Sequence, residues 1–211
     1  GTTYSDKQIL DDLTSLGAIA HLHDMKTITK IVAKKISEGF AVGWFQDRME
    51  FGPRALGNRS ILADPRDNNM QKNLNLKIKF RESFRPFAPA VMKEYLSEWF
   101  ELEHESPYML FVSEIKKKYQ INMENYSKEI GFKKLSIKKS KIPAVTHVDM
   151  SARIQTVSKE TNIKFYNLLN EFFNITGVPI LINTSFNVRG EPIVCSPKDA
   201  FNCFMGTELD Y

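Results

Sequence analysis

The sequence is poor in cysteine and has no long hydrophobic run. Its 211 residues include two cysteines, Cys195 and Cys203, with no second pair nearby. This count excludes a disulfide framework and a zinc knuckle, and neither cysteine has the local context of a nucleophile. No run approaches the roughly 18 apolar residues that a membrane span needs, and the N-terminus lacks a secretory signal pattern. We therefore expect a cytoplasmic protein that has no contact with a membrane.

The common nucleotide-binding and hydrolase motifs are also missing. The chain has no GxxxxGK[ST] loop and no GxGxxG, HExxH or GxSxG sequence. Its four histidines show no metal-ligand spacing, so we expect no metal to be held by the chain itself. The histidine that lies among strand-like valines is interpreted as structural rather than as a ligand. The four are His21, His23, His104 and His147.

The content of 42% hydrophobic and 26% charged residues is that of an ordinary globular protein. There is no internal repeat and no linker rich in proline, glycine or serine, so residues 1–211 are interpreted as one domain. The net charge of +4 is concentrated, because residues 116–142 hold nine lysines against Glu124 and Glu129. This segment is interpreted as an insertion or long loop with patchy order and a solvated surface.

Arginine is scarce and clustered. The chain has eight arginines against 21 lysines, and six of the eight fall between Arg48 and Arg85. Arginine presents a planar fork that grips phosphate or carboxylate in bidentate fashion, so the clustering indicates an oxyanion site. About half of the arginines are nevertheless expected to pair with neighbouring acids, as long charged side chains usually do. Those acids are Asp47, Glu50, Asp64, Asp67 and Glu82.

Apolar periodicity and capping residues predict an irregular alternation of helices and strands. Helices are predicted over residues 5–16, 27–38, 67–78 (capped by Asp67), 95–100, 162–176 and 196–205. Strands or extended pieces are predicted over residues 40–45, 60–64, 88–92, 108–115, 144–149, 153–158 and 179–183. This pattern predicts an α/β or α+β fold with an open, twisted, mixed sheet and flanking helices.

Four blocks carry small polar residues and arginine at strand ends or turns. They are RMEFGPRALGNRSILADPR (48–66), KFRESFRPFAPAV (79–91), PAVTHVDMSARIQTV (143–157) and LINTSFNVRGEPIV (181–194). Polar residues that follow a buried strand are a common place for ligands in sheet proteins. Converging arginines with hydroxyl and amide donors predict a site for a substrate that bears phosphate groups.

In these four blocks the sequence resembles the C-terminal domain of the O-carbamoyltransferases, which include nodulation-factor and antibiotic carbamoyltransferases. The resemblance extends from about Tyr4 to Tyr211, and residues 116–142 are its divergent part. It implies a fold similar to YrdC-type proteins. The family usually continues through a further apolar stretch after its last motif, so a final strand is expected beyond GTELDY.

The resemblance also implies an activity. Carbamoyl phosphate would lose phosphate to give carbamate, which would attack the α-phosphorus of ATP and release pyrophosphate. Mg²⁺ would arrive with ATP. The carbamoyl adenylate would pass to an N-terminal metal-containing domain that transfers the carbamoyl group to a hydroxyl. That domain's HxxxH motif is absent from this chain. The sequence does not identify the acceptor.

Site residues are assigned by the family's motifs at matching positions. Arg54 (GPRALG) and Arg153 (SARIQT) would bind carbamoyl phosphate, and Lys79 and Arg85 (KFRESFRPF) would bind the ATP phosphates. The NTSFN motif would hold carbamoyl or ribose-phosphate oxygens. Its residues in that role are Asn183 and Ser185, and further candidates are Asn58, Arg59, Ser151 and Thr184. Structural salt bridges are assigned to Arg48, Arg66, Arg81 and Arg189.

Two other functions remain open from the sequence. One is an RNA-binding module that uses the lysine-rich segment, which would bind RNA less tightly as salt rises. The aromatic residues that stacking platforms use are not interleaved there, and this counts against it. The other is a regulatory domain that binds nucleotide without turnover.

Overall fold

The computed structural model describes residues 1–121, 123–128, 130–131, 134 and 137–211. Six strands in this part of the chain form one open sheet: β1 (Val42–Phe45), β2 (Arg59–Ala63), β3 (Ala88–Met92), β4 (Phe111–Glu114), β5 (Ser151–Val157) and β6 (Ile180–Ser185). Their spatial order is β1-β2-β6-β3-β5-β4. β3 and β5 are parallel, and the other neighbouring pairs are antiparallel. The prediction of an α/β fold with an open mixed sheet is therefore confirmed.

Most helices lie where amphipathic periodicity predicts them, but the helix Met123–Lys128 falls in the segment that is predicted to be a loop. The helices are α1 (Asp6–Ser15), α2 (Met25–Ser37), α3 (Met70–Asn73), α4 (Leu96–Trp99), α5 (Met123–Lys128), α6 (Ile163–Thr176) and α7 (Pro197–Met205). α2 packs on α6 and both contact the sheet, whereas α1 packs on α7, which contacts β1. Burial of the apolar faces of α2 and α6 against the strands forms the main core.

Side-chain caps fix several helix ends. α1 begins with a capping box between Ser5 and Gln8, and a second box of Ser196 and Asp199 begins α7. α6 starts at Asn162, whose side chain accepts a hydrogen bond from the Phe165 N–H. These polar groups satisfy backbone donors that a helix leaves without partners, which is why the sequence locates these helices well.

Three predicted elements differ from the structure. Residues 144–149 are not extended, because Pro143–Val145 forms a 3₁₀ turn and a tight turn follows it. The helix predicted over 67–78 is short and passes into a π-helical turn at Leu74–Ile78. Asp67 does not cap it, because its carboxylate accepts from the Asn69 N–H before the helix begins. The strand predicted over 108–115 is limited to β4.

The loop between β1 and β2 packs tightly on α6. Gly57 has φ +108°, and a Cβ built there would lie 2.2 Å from Cδ1 of Phe165. Only glycine permits this conformation and this close approach at once. The contact fixes the end of the GPRALG loop relative to the core.

Both ends of the lysine-rich segment pack on the domain. Tyr119 stacks on Trp99 with ring centroids 3.8 Å apart, and Gln120 forms an isolated bridge with Ser140. Lys118 pairs with Glu98 at 3.4 Å, so part of the segment's charge is neutralised within the protein. Six positions of this segment, which is predicted to be an insertion or long loop, lie outside the described residues. These positions are 122, 129, 132, 133, 135 and 136.

Candidate functional site

A cavity of about 520 Å³, called the main cavity below, opens at one end of the sheet's central strands. β6 has its C-terminal end at this cavity, while β3 and β5 have their N-terminal ends there. Ala88 of β3 pairs with Asn183 of β6, and the parallel register of β3 with β5 brings Arg153 beside them. The sheet topology therefore gathers three of the four sequence blocks, and the GPRALG loop closes the cavity from above β2.

Cationic side chains dominate the lining of this main cavity. Four arginines and one histidine line it, and none of its described lining residues is acidic. The four arginines are Arg54, Arg81, Arg85 and Arg153, and the histidine is His147. A concave site with charge of one sign and low-dielectric walls concentrates counter-ions, so this cavity favours an anionic ligand.

A second cavity of about 260 Å³ adjoins the first. Arg81, Arg85 and Ser185 line both, so the two volumes share a wall or a passage. Lys79 and Arg189 add two cations to the second cavity, and Glu82 is the acid among its described lining residues. Together the cavities form one elongated cationic cleft.

Arg54 and Arg153 have no acidic partner among the described residues. The Nε atom of Arg153 is buried and has no hydrogen-bond partner in the described part of the chain. Burial lowers the pKa of Arg153, and the nearby charge of Arg54 lowers it further. Holding two guanidinium groups close together in a partly buried place costs free energy, which an anion bound between them would offset.

Asn183 presents an acceptor to the cavity rather than a donor. Its Nδ2 donates to the Ala55 carbonyl at 3.1 Å and to Gln155 Oε1 at 2.6 Å. Both amide hydrogens are thereby used, and Oδ1 is buried without a partner among the described residues. This geometry leaves Asn183 no free amide hydrogen for the ligand oxygens that it is predicted to hold, because an oxygen acceptor needs a donor. The free Oδ1 fits a ligand N–H group.

The hydroxyls expected to hold ligand oxygens are also engaged within the protein. Ser185 Oγ donates to Asn187 Oδ1 at 2.7 Å, and Ser151 Oγ donates to Asp149 Oδ1 at 2.6 Å. Each hydroxyl has a single hydrogen to donate. Ser151, Thr184 and Ser185 do line the main cavity as predicted, but the arginines are its main source of free donors.

Lys79 is buried and holds the NTSFN turn in place. Its ammonium donates to the Asn187 carbonyl at 2.9 Å and to Asn187 Oδ1 at 2.8 Å, and it also bonds the Ser185 carbonyl. Burial, together with the charge of Arg81, lowers the pKa of Lys79 to about 7. The lysine therefore fixes the shape of the second cavity, and its three hydrogens are directed at the turn.

The GPRALG loop is shaped by a carboxylate that sequence reasoning treated only as an arginine partner. Glu50 Oε1 accepts from the backbone N–H groups of Leu56 at 2.6 Å and Asn58 at 2.8 Å. A carboxylate that satisfies successive backbone donors orders a loop of this kind. Because Arg54 lies within the ordered loop, Glu50 sets the position from which Arg54 faces the cavity.

Asn58 and Arg59 lie outside both cavities. Arg59 is 0% exposed, and its guanidinium donates to the carbonyls of Gln46 at 2.7 Å and Asn58 at 2.8 Å. It stacks over the ring of Phe45, with Cζ 3.5 Å from the centroid. Asn58 accepts from Gln46 and Asn162 through its side-chain oxygen. The structure therefore gives both residues structural contacts in place of the predicted ligand contacts.

Arginine pairing is rarer than expected. Among the described residues the ion pair of Arg66 with Asp64, at 2.6 Å, is the one that involves an arginine. Arg48 donates to the Gly1 carbonyl, and Arg189 reaches the Phe80 carbonyl at 3.5 Å. Arg81, also assigned to a salt bridge, instead bonds Asn75 and lines both cavities. Its position in sequence beside Lys79 and Arg85 is the signal that could have placed it in the site.

Backbone strain is concentrated near the cleft. Phe80, Met109 and Met150 have φ values of 47°, 57° and 66°, in the left-handed region that non-glycine residues seldom adopt. Phe80 lies between Lys79 and Arg81, Met109 lines the main cavity, and Met150 precedes Ser151. Such strained positions persist where the surrounding structure requires them and cluster at functional sites.

Two kinds of feature are absent from the described residues. No helix there is both long enough and apolar enough to cross a lipid bilayer. No group of three or more histidine, cysteine, aspartate or glutamate side chains is arranged there as a metal site.

The fold and cleft define a mixed α/β domain with an arginine-rich cleft where strands of its sheet begin and end. Residues 33–211 match the family described as Carbamoyltransferase C-terminus, and the chain belongs to that family. The predicted membership is thereby confirmed.

Proteins of several organisms are similar in sequence to this chain. The chain is 56% identical over 181 residues to an uncharacterized protein of Synechocystis sp., covering 85% of this chain and 29% of the relative. It is 41% identical over 209 residues to nodulation protein NolNO of Sinorhizobium fredii, covering 98% and 28%. Nodulation protein NolO of Bradyrhizobium diazoefficiens is 43% identical over 186 residues, covering 87% and 30%. The chain thus spans less than a third of these relatives.

The structure is also similar to that of full-length HypF in its phosphate- and nucleotide-bound form. The TM-score is 0.49 with 15% sequence identity, and the alignment covers 90% of this chain and 20% of HypF.

Proposed function

We propose that this chain is the part of a carbamoyltransferase that binds carbamoyl phosphate and ATP and forms carbamoyl adenylate. The observation that carries the proposal is the arginine-lined main cavity, in which Arg153 Nε and Asn183 Oδ1 are buried without partners. One group needs an acceptor and the other needs a donor. Carbamoyl phosphate supplies both, because its phosphate oxygens accept and its amino group donates.

Carbamoyl phosphate would lie between the GPRALG loop and the start of β5. Its phosphate group would be held by the guanidinium groups of Arg54 and Arg153, which gain the counter-charge that the protein does not give them. Its amino group would donate to Asn183 Oδ1. The orientation of that amide is fixed by its bonds to Ala55 and Gln155, so the acceptor is in place before the ligand arrives.

The ATP phosphates would extend into the second cavity. Arg81 and Arg85 line both cavities and would contact phosphates on either side of the shared boundary. Arg189 lies at the far side, and Lys79 holds the turn that forms the wall. Mg²⁺ would arrive bound to ATP, and the phosphate oxygens would already neutralise part of its charge.

The reaction needs position and charge rather than a protein nucleophile. A carbamate oxygen would attack the α-phosphorus of ATP and form the oxygen–phosphorus bond of carbamoyl adenylate. The bond from the α-phosphorus to the bridging oxygen would break, and pyrophosphate would leave. The developing charge on the phosphoryl oxygens would be stabilised by fixed guanidinium groups in a cleft of low dielectric. Transfer of the carbamoyl group to a hydroxyl acceptor would belong to an N-terminal domain, since the chain spans less than a third of its relatives.

Discrimination between carbamoyl phosphate and acetyl phosphate tests the role of the Asn183 acceptor without altering the protein. The two ligands share shape and phosphate charge, but acetyl phosphate has a methyl group where carbamoyl phosphate has an amino group. A buried acceptor left without a partner costs about 1–3 kcal/mol, so carbamoyl phosphate should bind about 5- to 150-fold more tightly. Calorimetric titration of the wild-type chain with each ligand measures the ratio. Equal affinities would contradict the proposed pose.

A further inference from the structure

His147 lines the main cavity and has no role in the proposed function. Among the described residues that line this cavity, it is the side chain with a ring nitrogen that can accept a proton. The four arginines there remain protonated and can only donate. Any step in this cavity that releases a proton from a substrate therefore has His147 as its available acceptor.

The position of His147 is fixed by a tight turn before β5. The His147 N–H donates to the Ser151 carbonyl at 2.8 Å, and the Met150 N–H donates to the His147 carbonyl at 3.1 Å. Met150 takes the left-handed conformation that this turn requires. Asp149 Oδ1 closes the turn by accepting from the Ser151 N–H at 3.0 Å.

The same carboxylate orients the imidazole. His147 Nδ1 lies 3.1 Å from Asp149 Oδ1. Hydrogen bonds from Ser151, joined by that of His147, lower the pKa of Asp149 to about 2, so the carboxylate is ionised and can only accept. Nδ1 is therefore the protonated nitrogen. Nε2 remains as the acceptor for a molecule in the cavity, and the arrangement is that of a base held by a carboxylate.

We infer that His147, oriented by Asp149, is the general base that activates water to split carbamoyl phosphate in the main cavity. The inference rests on the proposed function. In this step the water oxygen bonds the phosphorus and the phosphorus–oxygen bond to the carbamoyl group breaks. Carbamate leaves as the anion, and the phosphate keeps one of the two water protons as hydrogen phosphate. One proton from the water is left over, and Nε2 of His147 accepts it.

The charges around His147 are compatible with this step. Arg54, Arg85 and Arg153 line the same cavity and hold the phosphate product, which carries two negative charges. Asp149 Oδ1 lies 3.1 Å from Nδ1 of the imidazole and offsets the positive charge that forms there. The imidazolium would thus lie between two anions, and its formation would be favoured during the step.

The experiment compares His147→Ala and His147→Gln with the wild-type chain. Phosphate release from carbamoyl phosphate is measured after subtraction of the rate without protein, and carbamoyl phosphate affinity is measured by calorimetry. Loss of a general base should lower the release rate by about 10²- to 10⁴-fold. Affinity should stay within about threefold, because the arginines supply the binding donors. His104→Ala is the matched control, because His104 is exposed and contacts Phe111 away from the cavity.

Added imidazole distinguishes a base from a structural residue. The His147→Ala variant should recover phosphate release in proportion to imidazole concentration, and His147→Gln, which fills the space, should recover less. Wild-type release rates in both variants would overturn the role of His147 as a base. A loss of carbamoyl phosphate affinity that parallels the loss of rate would overturn it too, and neither result would contradict the proposed function. A wild-type chain that binds carbamoyl phosphate but never releases phosphate would overturn this step, and one that does not bind it would overturn the proposed function itself.

Discussion

Replacement of Arg153 by alanine is expected to weaken carbamoyl phosphate binding by about 100-fold or more. The guanidinium is half-buried, and its Nε has no partner among the described residues. Removing one member of a charged, hydrogen-bonded pair in such a place costs about 3 kcal/mol, which corresponds to roughly two decades in affinity. Calorimetric titration with carbamoyl phosphate measures the change.

Stability should move differently from affinity in this variant. The pKa of Arg153 is lowered by burial and by the charge of Arg54, which means that the cation is held at a cost in the free protein. Arg153→Ala should therefore leave the melting temperature unchanged or raise it. Arg48→Ala is the matched control, because Arg48 is exposed and lines neither cavity. Affinity within threefold of wild type in Arg153→Ala would remove this residue from the site.

Replacement of Arg59 by alanine is expected to lower the stability of the protein and to leave carbamoyl phosphate affinity nearly unchanged, which is the reverse of the result expected for Arg153→Ala. The residue is fully buried and donates to the carbonyls of Gln46 and Asn58, while it stacks on Phe45. Its loss leaves buried carbonyl oxygens without donors and creates a cavity, which should lower the free energy of unfolding by about 3 kcal/mol. For a domain of this size the melting temperature should fall by about 6–12 °C.

Denaturant and thermal unfolding measure this loss, and calorimetry at a temperature where the variant is folded measures binding. Carbamoyl phosphate affinity should remain within about threefold, because Arg59 lines neither cavity. A variant with wild-type stability and lost affinity would show that Arg59 binds ligand, as its place in the sequence block suggested. Arg48→Ala again provides the reference for loss of an exposed arginine.

Arg59 and Arg153 show how far the sequence can predict the site. Clustering of arginine and the resemblance to a family locate the cleft, but they do not say which arginine enters it. That depends on the sheet register, which places Arg153 near Ala88 at the cavity, and on the pairing of β1 with β2, which buries Arg59 against Phe45. Both are long-range properties that no local pattern encodes. Arg81 was misassigned for the same reason.

The fold was predicted best where local chemistry decides the structure. The capping box at Ser5 and the start of α6 at Asn162 are encoded in adjacent residues. Residues 144–149 were misassigned as extended because their apolar residues resemble a strand, whereas the turn there depends on a left-handed Met150 that sequence rarely signals. The amide of Asn183 is a similar case, since its donors are used by Ala55 and Gln155 from distant segments.

Pyrophosphate release tests the central claim most directly. The wild-type chain is incubated with ATP and Mg²⁺, with and without carbamoyl phosphate, and Arg153→Ala serves as the site control. The account predicts that pyrophosphate appears only when carbamoyl phosphate is present and that the variant releases little. Release that is independent of carbamoyl phosphate would contradict it. So would the absence of release while calorimetry shows both ligands bound, which is the behaviour of a regulatory nucleotide-binding domain.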